Sequence, residues 1–262
     1  MPKTAGLTKS LTRGLTQDLF KNPPVTYSNT YSVDFDGSND YAEATVGAST
    51  LDFVHSGCTL SAWVRVGEVL PSFGVYVIAG VYYHNGYFYV GMLKSGSTWK
   101  PVGYVGNASM IGSSSLSLSD AADGRWLHVV ATNGSGGRKT YVNGVAAYTG
   151  TQMSDNTKNP SGARNFEIGR RYSTRYTDAS IDEVSIHNSQ LDDDAVVAMY
   201  NSGVPINLAQ DSGDYAGSSS LFSWWRMGDN DGGTGSTITD ATGGGFDATL
   251  HNSPTIQEVV PS

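Results

Sequence analysis

DGRWLHVVATNGSGGRKTYVNG, residues 123–144, carries a strand, a glycine-rich turn and the first half of a hairpin in succession. WLHVVAT (126–132) reads as a strand, and KTYVNGVAAY (139–148) reads as a hairpin. Asn143-Gly144 supplies the positive φ angles that a two-residue hairpin turn requires.

VYYHNGYFYV (81–90) predicts a second hairpin, with its turn at Asn85-Gly86. In that register His84 faces Tyr87, Tyr83 faces Phe88, Tyr82 faces Tyr89 and Val81 faces Val90. Opposed residues share a face. Val81, Tyr83, Phe88 and Val90 should therefore be core, and Tyr82, His84, Tyr87 and Tyr89 should look outward. Further strands read at YSVDFD (31–36), TLSAWVRV (59–66), NFEIG (165–169) and DEVSIH (182–187). In TLSAWVRV, Leu60, Ala62, Val64 and Val66 share one side. Short strands separated by Gly/Ser/Asn turns predict a β-sandwich. QLDDDAVVAMYNSG (190–203) predicts one short helix that buries Leu191, Ala195 and Met199 and stops at Gly203. Asp192, Asp193 and Asp194 read as its N-terminal cap, where carboxylates meet unpaired N–H groups.

Composition agrees with a turn-rich β protein. Charged residues make up 15% of 262 residues, with 32 Gly and 15 Tyr. The net charge of −8 argues against a nucleic-acid partner, since phosphate binding needs a basic face. The one cysteine, Cys58, precludes an intramolecular disulfide and reads as a small buried residue. No stretch approaches the roughly 18 apolar residues of a membrane span, so membrane insertion is not expected.

The first residues differ in kind. Residues 1–26 read as an extended basic arm, and residues 27–262 as the sandwich. Leu7, Leu11, Leu15 and Leu19 recur every fourth position, but the interleaved threonines and Gly14 disfavour a helix. Lys9, Ser10, Arg13 and Gln17 break any apolar run of signal-peptide length. Residues 1–24 carry Lys3, Lys9, Arg13 and Lys21 against Asp18, net +3, which leaves −11 for residues 25–262. An arm that cannot bury its own leucines needs another surface to dock on.

Four segments carry a resemblance: YSVDFDGSNDYAE (31–43), TLSAWVRV (59–66), DGRWLHVVATNGSGGRKTYVNG (123–144) and IDEVSIHNSQLDDDAVVAMYNSG (181–203). In this order they resemble laminin-G-like domains of the concanavalin A-like, pentraxin-related jelly rolls. The resemblance implies two antiparallel sheets with one short helix. The last β unit, 221–252, resembles a piece such domains carry first, so it reads as permuted to the C terminus. Its WWRMGD segment resembles structural proteins of marine bacteriophages. The family implies binding of glycans or protein surfaces, often with calcium at the sandwich rim.

Three groups are candidate sites. Tyr82, His84, Tyr87 and Tyr89 could stack on sugar rings, pack against a neighbouring subunit, or lie under a loop of the same chain. GRRYSTRYTD (169–178) places Arg171, Tyr172, Arg175 and Tyr176 on a loop where arginine forks suit anionic sugars. Calcium needs several oxygen ligands, and Asp229, Asp231 and Asp240 are the first candidates. DFDGSND (34–40) is the second, although Asp36-Gly37 more simply forms a tight turn. Catalysis is not expected. Adjacent Asp182 and Glu183 should point to opposite faces of a strand, and a retaining glycosidase needs paired carboxylates.

These readings lead to a non-enzymatic virion surface protein, a capsid decoration or tail-associated subunit docked through its arm. Its expected partners are a capsid or tail protein, a further copy of the chain, and a cell-surface glycan. A secreted lectin or adhesin is the first alternative, and a glycoside hydrolase of the same fold is the second.

Overall fold

The structure, a computed structural model, describes residues 27–47, 50–66, 73–83, 86–95, 98–106, 108–112, 116–117, 124–153, 164–171 and 175–262. The arm leucines Leu7, Leu11, Leu15 and Leu19 lie outside these residues, as do His84 and Tyr172. Tyr82 and Tyr87 are placed by strand register alone.

The first half of the chain forms β1 (Ser32–Asp36), β2 (Tyr41–Val46), β3 (Cys58–Val66), β4 (Phe73–Tyr83), β5 (Gly86–Ser95) and β6 (Thr98–Gly106). β7 (Ala108–Ile111), β8 (Leu116–Ser117), β9 (Leu127–Gly134), β10 (Gly137–Val142) and β11 (Val145–Gly150) follow. Then come β12 (Arg164–Ile168), the short β13 (Arg170–Arg171) and β14 (Arg175–Tyr176), β15 (Asp178–His187) and helix α1 (Asp193–Tyr200). The chain closes with β16 (Leu221–Trp225), β17 (Thr237–Ile238), β18 (Ala248–His251) and β19 (Thr255–Gln257).

Two large antiparallel sheets and a two-stranded ribbon, β13–β14, result. Sheet A runs β11-β10-β9-β3-β15-β1-β19, with β16 also paired to β15. Sheet B runs β17-β18-β2-β12-β4-β5-β6-β7, with β8 paired to β6. Between them lies the core, to which β3 gives Leu60, Ala62, Val64 and Val66, as their alternation predicts. Phe166 of sheet B stacks on Trp225 of sheet A at 4.8 Å, joining the layers. This is the expected jelly-roll sandwich. The terminal unit completes both sheets, because β16 pairs with β15, β18 with β2, and β19 with β1.

Sheet A is also covered on its outer side. Leu191, Ala195, Val196 and Met199 pack with Leu208, Tyr215 and Trp224 onto Val130 and Tyr141. Asp192 caps α1 by accepting a hydrogen bond from the Ala195 N–H at 2.8 Å. The helix ends earlier than the sequence suggests, because Asn201 adopts the left-handed conformation (φ 42°) two residues before Gly203. Asn can do this at low cost, and it halts the helix by itself.

The two hairpins fare differently. Asn143 (φ 51°) and Gly144 (φ 76°) form the expected turn between Val142 and Val145. In the other hairpin Val81 pairs with Phe88, Tyr82 with Tyr87 and Tyr83 with Gly86, a slip of two residues from the expected register. A two-residue slip preserves which face each residue occupies, and Val81, Phe88 and Val90 remain core. The slip sets Gly80 opposite Tyr89. A Cβ on Gly80 would lie 2.2 Å from the Tyr89 Cβ, so the glycine makes room for the ring.

Candidate functional site

The outer face of sheet B concentrates ionic and aromatic side chains. Ala42 and Ala44 of β2 and Phe166 and Ile168 of β12 enter the core. Alternation therefore turns Tyr41, Glu43 and Glu167 outward. Glu43 and Glu167 are direct cross-strand partners, a like-charged pairing that is destabilising if left alone. Gly169, at φ 77°, turns the chain just before Arg170, and a Cβ there would press on the Phe35 ring at 3.0 Å. Arg170 then reaches back between the glutamates. Its Nη2 donates to Glu43 Oε2 at 3.2 Å and also to Glu167 Oε1, while its Nε donates to Glu167 Oε1 at 3.1 Å. Burial raises the Glu167 carboxyl above its ordinary range, partly opposed by Arg170. Burial lowers the Arg170 pKa, but the Glu167 bond and charge outweigh it and hold the guanidinium charged.

Rings line up beside this group. The Arg170 Cζ lies 3.4 Å from the centroid of Tyr41. His251 stacks on Tyr41 at 4.4 Å and 8°, with its Nε2 3.6 Å from Glu43 Oε1. Tyr176, the cross-strand partner of Arg170, tilts toward Tyr41 at 6.3 Å. His251, Tyr41 and Tyr176 thus form a half-buried row. On the far side of the β13–β14 ribbon, the Arg171 Cζ lies 5.4 Å over Tyr89, and Tyr89 packs on Tyr104 at 4.8 Å.

The structure therefore joins two groups that the sequence kept apart. Arg171 and Tyr89 meet, and Tyr176 and Arg175 belong to the same ribbon. Tyr89 itself is fully buried rather than displayed, packed with Val77 and Val102 beneath Arg171. It supports the face and offers no open ring. Tyr41, Glu43, Glu167 and His251 escaped the sequence reading. A signal existed in YAEATV (41–46), where Tyr and Glu alternate with Ala and Val, but Glu167 becomes a partner only through strand pairing.

A second ionic group lies in sheet A. β1 and β16 share one edge of β15 end to end, β1 opposite 178–181 and β16 opposite 184–187. At the seam β15 bulges between Asp182 and Ser185, and Glu183 takes φ 48°. The bulge cancels the alternation, so Asp182 and Glu183 do not diverge. One carboxylate oxygen from each, with one from Asp229, lies within 4.8 Å of the others. Asp182 accepts from Asn29 Nδ2 and from the Glu183 N–H, each at 2.8 Å. Glu183 accepts from Trp224 Nε1 at 2.6 Å and from Arg226 Nε at 3.2 Å. Asp229 accepts from the Thr30 N–H at 3.0 Å, and its other oxygen lies 3.5 Å from Arg226 Nη2. Arg226 also donates to the Ser28 carbonyl, and Tyr27 stacks on Trp224 at 6.3 Å. Burial raises both the Asp182 and Glu183 carboxyls, Glu183 to about 7.

This group does not fit calcium. Arg226 already supplies a cation between Glu183 and Asp229. Asp231 and Asp240, expected to converge with Asp229, brace the terminal loops instead. Asp231 accepts from the Thr239 N–H and hydroxyl, and Asp240 from the N–H groups of Trp224 and Thr242. Asp36 binds the Ser38 and Asn39 N–H groups at 2.8 and 3.2 Å, completing its tight turn at Gly37. Cys58 is buried and donates to the Val54 carbonyl at 3.4 Å, and burial pushes its thiol pKa up. Among the described residues no helix is long and apolar enough to cross a membrane.

Residues 36–197, more than half of the chain, match the family described as the concanavalin A-like lectin/glucanases superfamily. The chain belongs to that family. A solved protein from Bacteroides ovatus, provisionally described as carbohydrate-binding, is 17% identical with a TM-score of 0.61. The match covers 90% of this chain and 62% of that one, so this chain spans less than two thirds of its length. A heptameric pentraxin from Limulus polyphemus is 14% identical, with a TM-score of 0.47, over 66% of this chain and 82% of its own. The binding domain of botulinum neurotoxin DC, solved in complex with SialylT, is 15% identical, with a TM-score of 0.46, over 68% and 48%. At these identities the likeness concerns the fold alone. Among curated proteins, none matches.

Proposed function

We propose that this chain is a non-catalytic carbohydrate-binding protein that holds its ligand on the outer face of sheet B. The observation behind this is the half-buried row of His251, Tyr41 and Tyr176 beside the polar line Glu43–Arg170–Glu167. Such a face suits sugars, whose C–H faces pack on rings while their hydroxyls seek fixed donors and acceptors. Tyr176, half-buried at the end of that row beside Tyr41, is the ring we assign to stacking.

Hydrolysis is disfavoured at this pair of glutamates. A retaining enzyme keeps two carboxylates roughly 5–5.5 Å apart, with the substrate between them. Here one nitrogen, Arg170 Nη2, touches both, and the guanidinium fills that space. Affinity electrophoresis in gels containing polysaccharides tests the proposal. Tyr176→Ala should abolish retardation while the melting temperature stays put. Unaltered retardation would overturn the assignment, and release of reducing sugar by pure protein would overturn the absence of catalysis.

The arm supports a second, compatible reading, in which the lectin-like sandwich is displayed on a virion as a capsid decoration or tail-associated subunit. Its support is the basic, leucine-studded sequence of residues 1–26. Deleting those residues should abolish association with particles and leave retardation in polysaccharide gels intact. Loss of neither would favour a free lectin.

A further inference from the structure

We infer that the sugar taken by this face is anionic, its carboxylate or sulfate gripped by Arg171 and Arg175 of the β13–β14 ribbon. The inference rests on the glycan-binding reading above and adds the ligand's charge. Three observations support it.

The first is the pairing. Arg171 and Arg175 stand directly opposite each other on the ribbon. Opposed side chains on an antiparallel pair start about 4.5–5.5 Å apart. An oxyanion set between two guanidinium groups at that spacing accepts a charge-assisted hydrogen bond from each.

The second is charge accounting. Of the three arginines on the ribbon, Arg170 is matched by Glu43 and Glu167. Arg175 is exposed, and among the described residues no carboxylate pairs with it. The body of the chain is otherwise strongly acidic, −11 over residues 25–262. A cationic spot on such a surface is a local feature and not part of a general polyanion-binding field. At physiological salt the screening length is about 8 Å, so the distant acids do little to weaken it.

The third is the surroundings. Arg171 lies 5.4 Å over the buried Tyr89, in a setting that lowers the local dielectric and strengthens a bond to an anion. Tyr176 follows Arg175 directly in the chain and turns to the ribbon's other side, toward Tyr41. A saccharide of two or more units lying across the ribbon can rest one ring on Tyr176 and present its charged substituent to Arg175 and Arg171.

The test is isothermal titration and affinity electrophoresis against polygalacturonate (carboxylate), carrageenan (sulfate), laminarin and agarose (both neutral). Wild-type protein should bind at least one anionic polymer about tenfold or more tighter than either neutral one. Arg175→Gln should remove about tenfold of that affinity, the loss of one or two charge-assisted bonds. Being exposed, this variant should keep the wild-type melting temperature. Preference between polygalacturonate and carrageenan would identify the oxyanion. Equal binding of neutral and anionic polymers, or an unchanged Arg175→Gln, would overturn the inference and leave glycan binding standing. Absence of binding to all four polymers, with Tyr176→Ala silent, would remove both.

Discussion

Arg170 and Arg226 each sit between carboxylates, one on the outer face of sheet B and the other in a seam of sheet A. Arg170 meets two glutamates that regular strand pairing sets side by side. Arg226 meets acids that a bulge brings together. The Arg170 group borders solvent, with the Glu43 side chain 24% exposed and His251 33%. The acids of the Arg226 group are closed in, with the Glu183 side chain 2% exposed and Asp229 5%. The same chemistry therefore serves two ends. At the open edge it leaves polar atoms and rings within reach of solvent, and in the closed seam it ties Ser28, Asn29 and Thr30 to the sandwich. Two carboxylates to one guanidinium suits a half-exposed site, whereas three to one in a buried seam favours retention of a proton.

Removing each arginine in turn shows whether the two groups differ in energy. Arg226→Met leaves buried carboxylates without their cation and should destabilise by about 3–5 kcal/mol, measured by urea unfolding. Adding Glu183→Gln to that variant should recover part of the loss. Failure to recover any would mean that the seam is held by packing and not by charge.

Next in size is pH dependence. The Glu183 pKa is raised from 4.5 to about 7, chiefly by burial. Between these values the folded protein holds a proton that the unfolded chain has lost. The stabilising contribution is therefore complete below about pH 4.5 and lost as pH rises through about 7, on the order of 3 kcal/mol. The buried Asp182 acts in the same direction. Melting temperatures recorded from pH 5 to pH 8 should fall for the wild type and run flatter for Glu183→Gln.

The smallest effect belongs to the open group. Arg170→Met should cost about 1–3 kcal/mol, less than Arg226→Met, because water can reach Glu43 once the guanidinium is gone. It should also weaken polysaccharide binding by disturbing Tyr41. A cost equal to that of Arg226→Met in the same urea series would abolish the distinction between open and closed groups.

Much of the scaffold was legible from local pattern. Leu60, Ala62, Val64 and Val66 alternate into the core, and Asn143-Gly144 makes its turn. Asp192 caps the helix as its place before an apolar periodic run suggests. The site was legible only in pieces. Arg171, Arg175 and Tyr176 stood out as a loop of arginines and tyrosines, but Glu43, Glu167 and His251 sit on three strands far apart in sequence. Nothing local says that they share a face with that loop. The Asp182–Glu183 pair misled for the opposite reason, because alternation is a rule for regular strands and the bulge suspends it.

Local pattern was enough for the inward face of β3, the Asp192 cap and the Asn143-Gly144 turn, since periodicity, capping and positive φ are properties of neighbouring residues. Which charges meet is set by the pairing of strands far apart in the chain. Cross-strand register, the slip that seats Tyr89 over Gly80, and the bulge at Glu183 depend on what the partner strands require, and a lone segment carries no record of its partners.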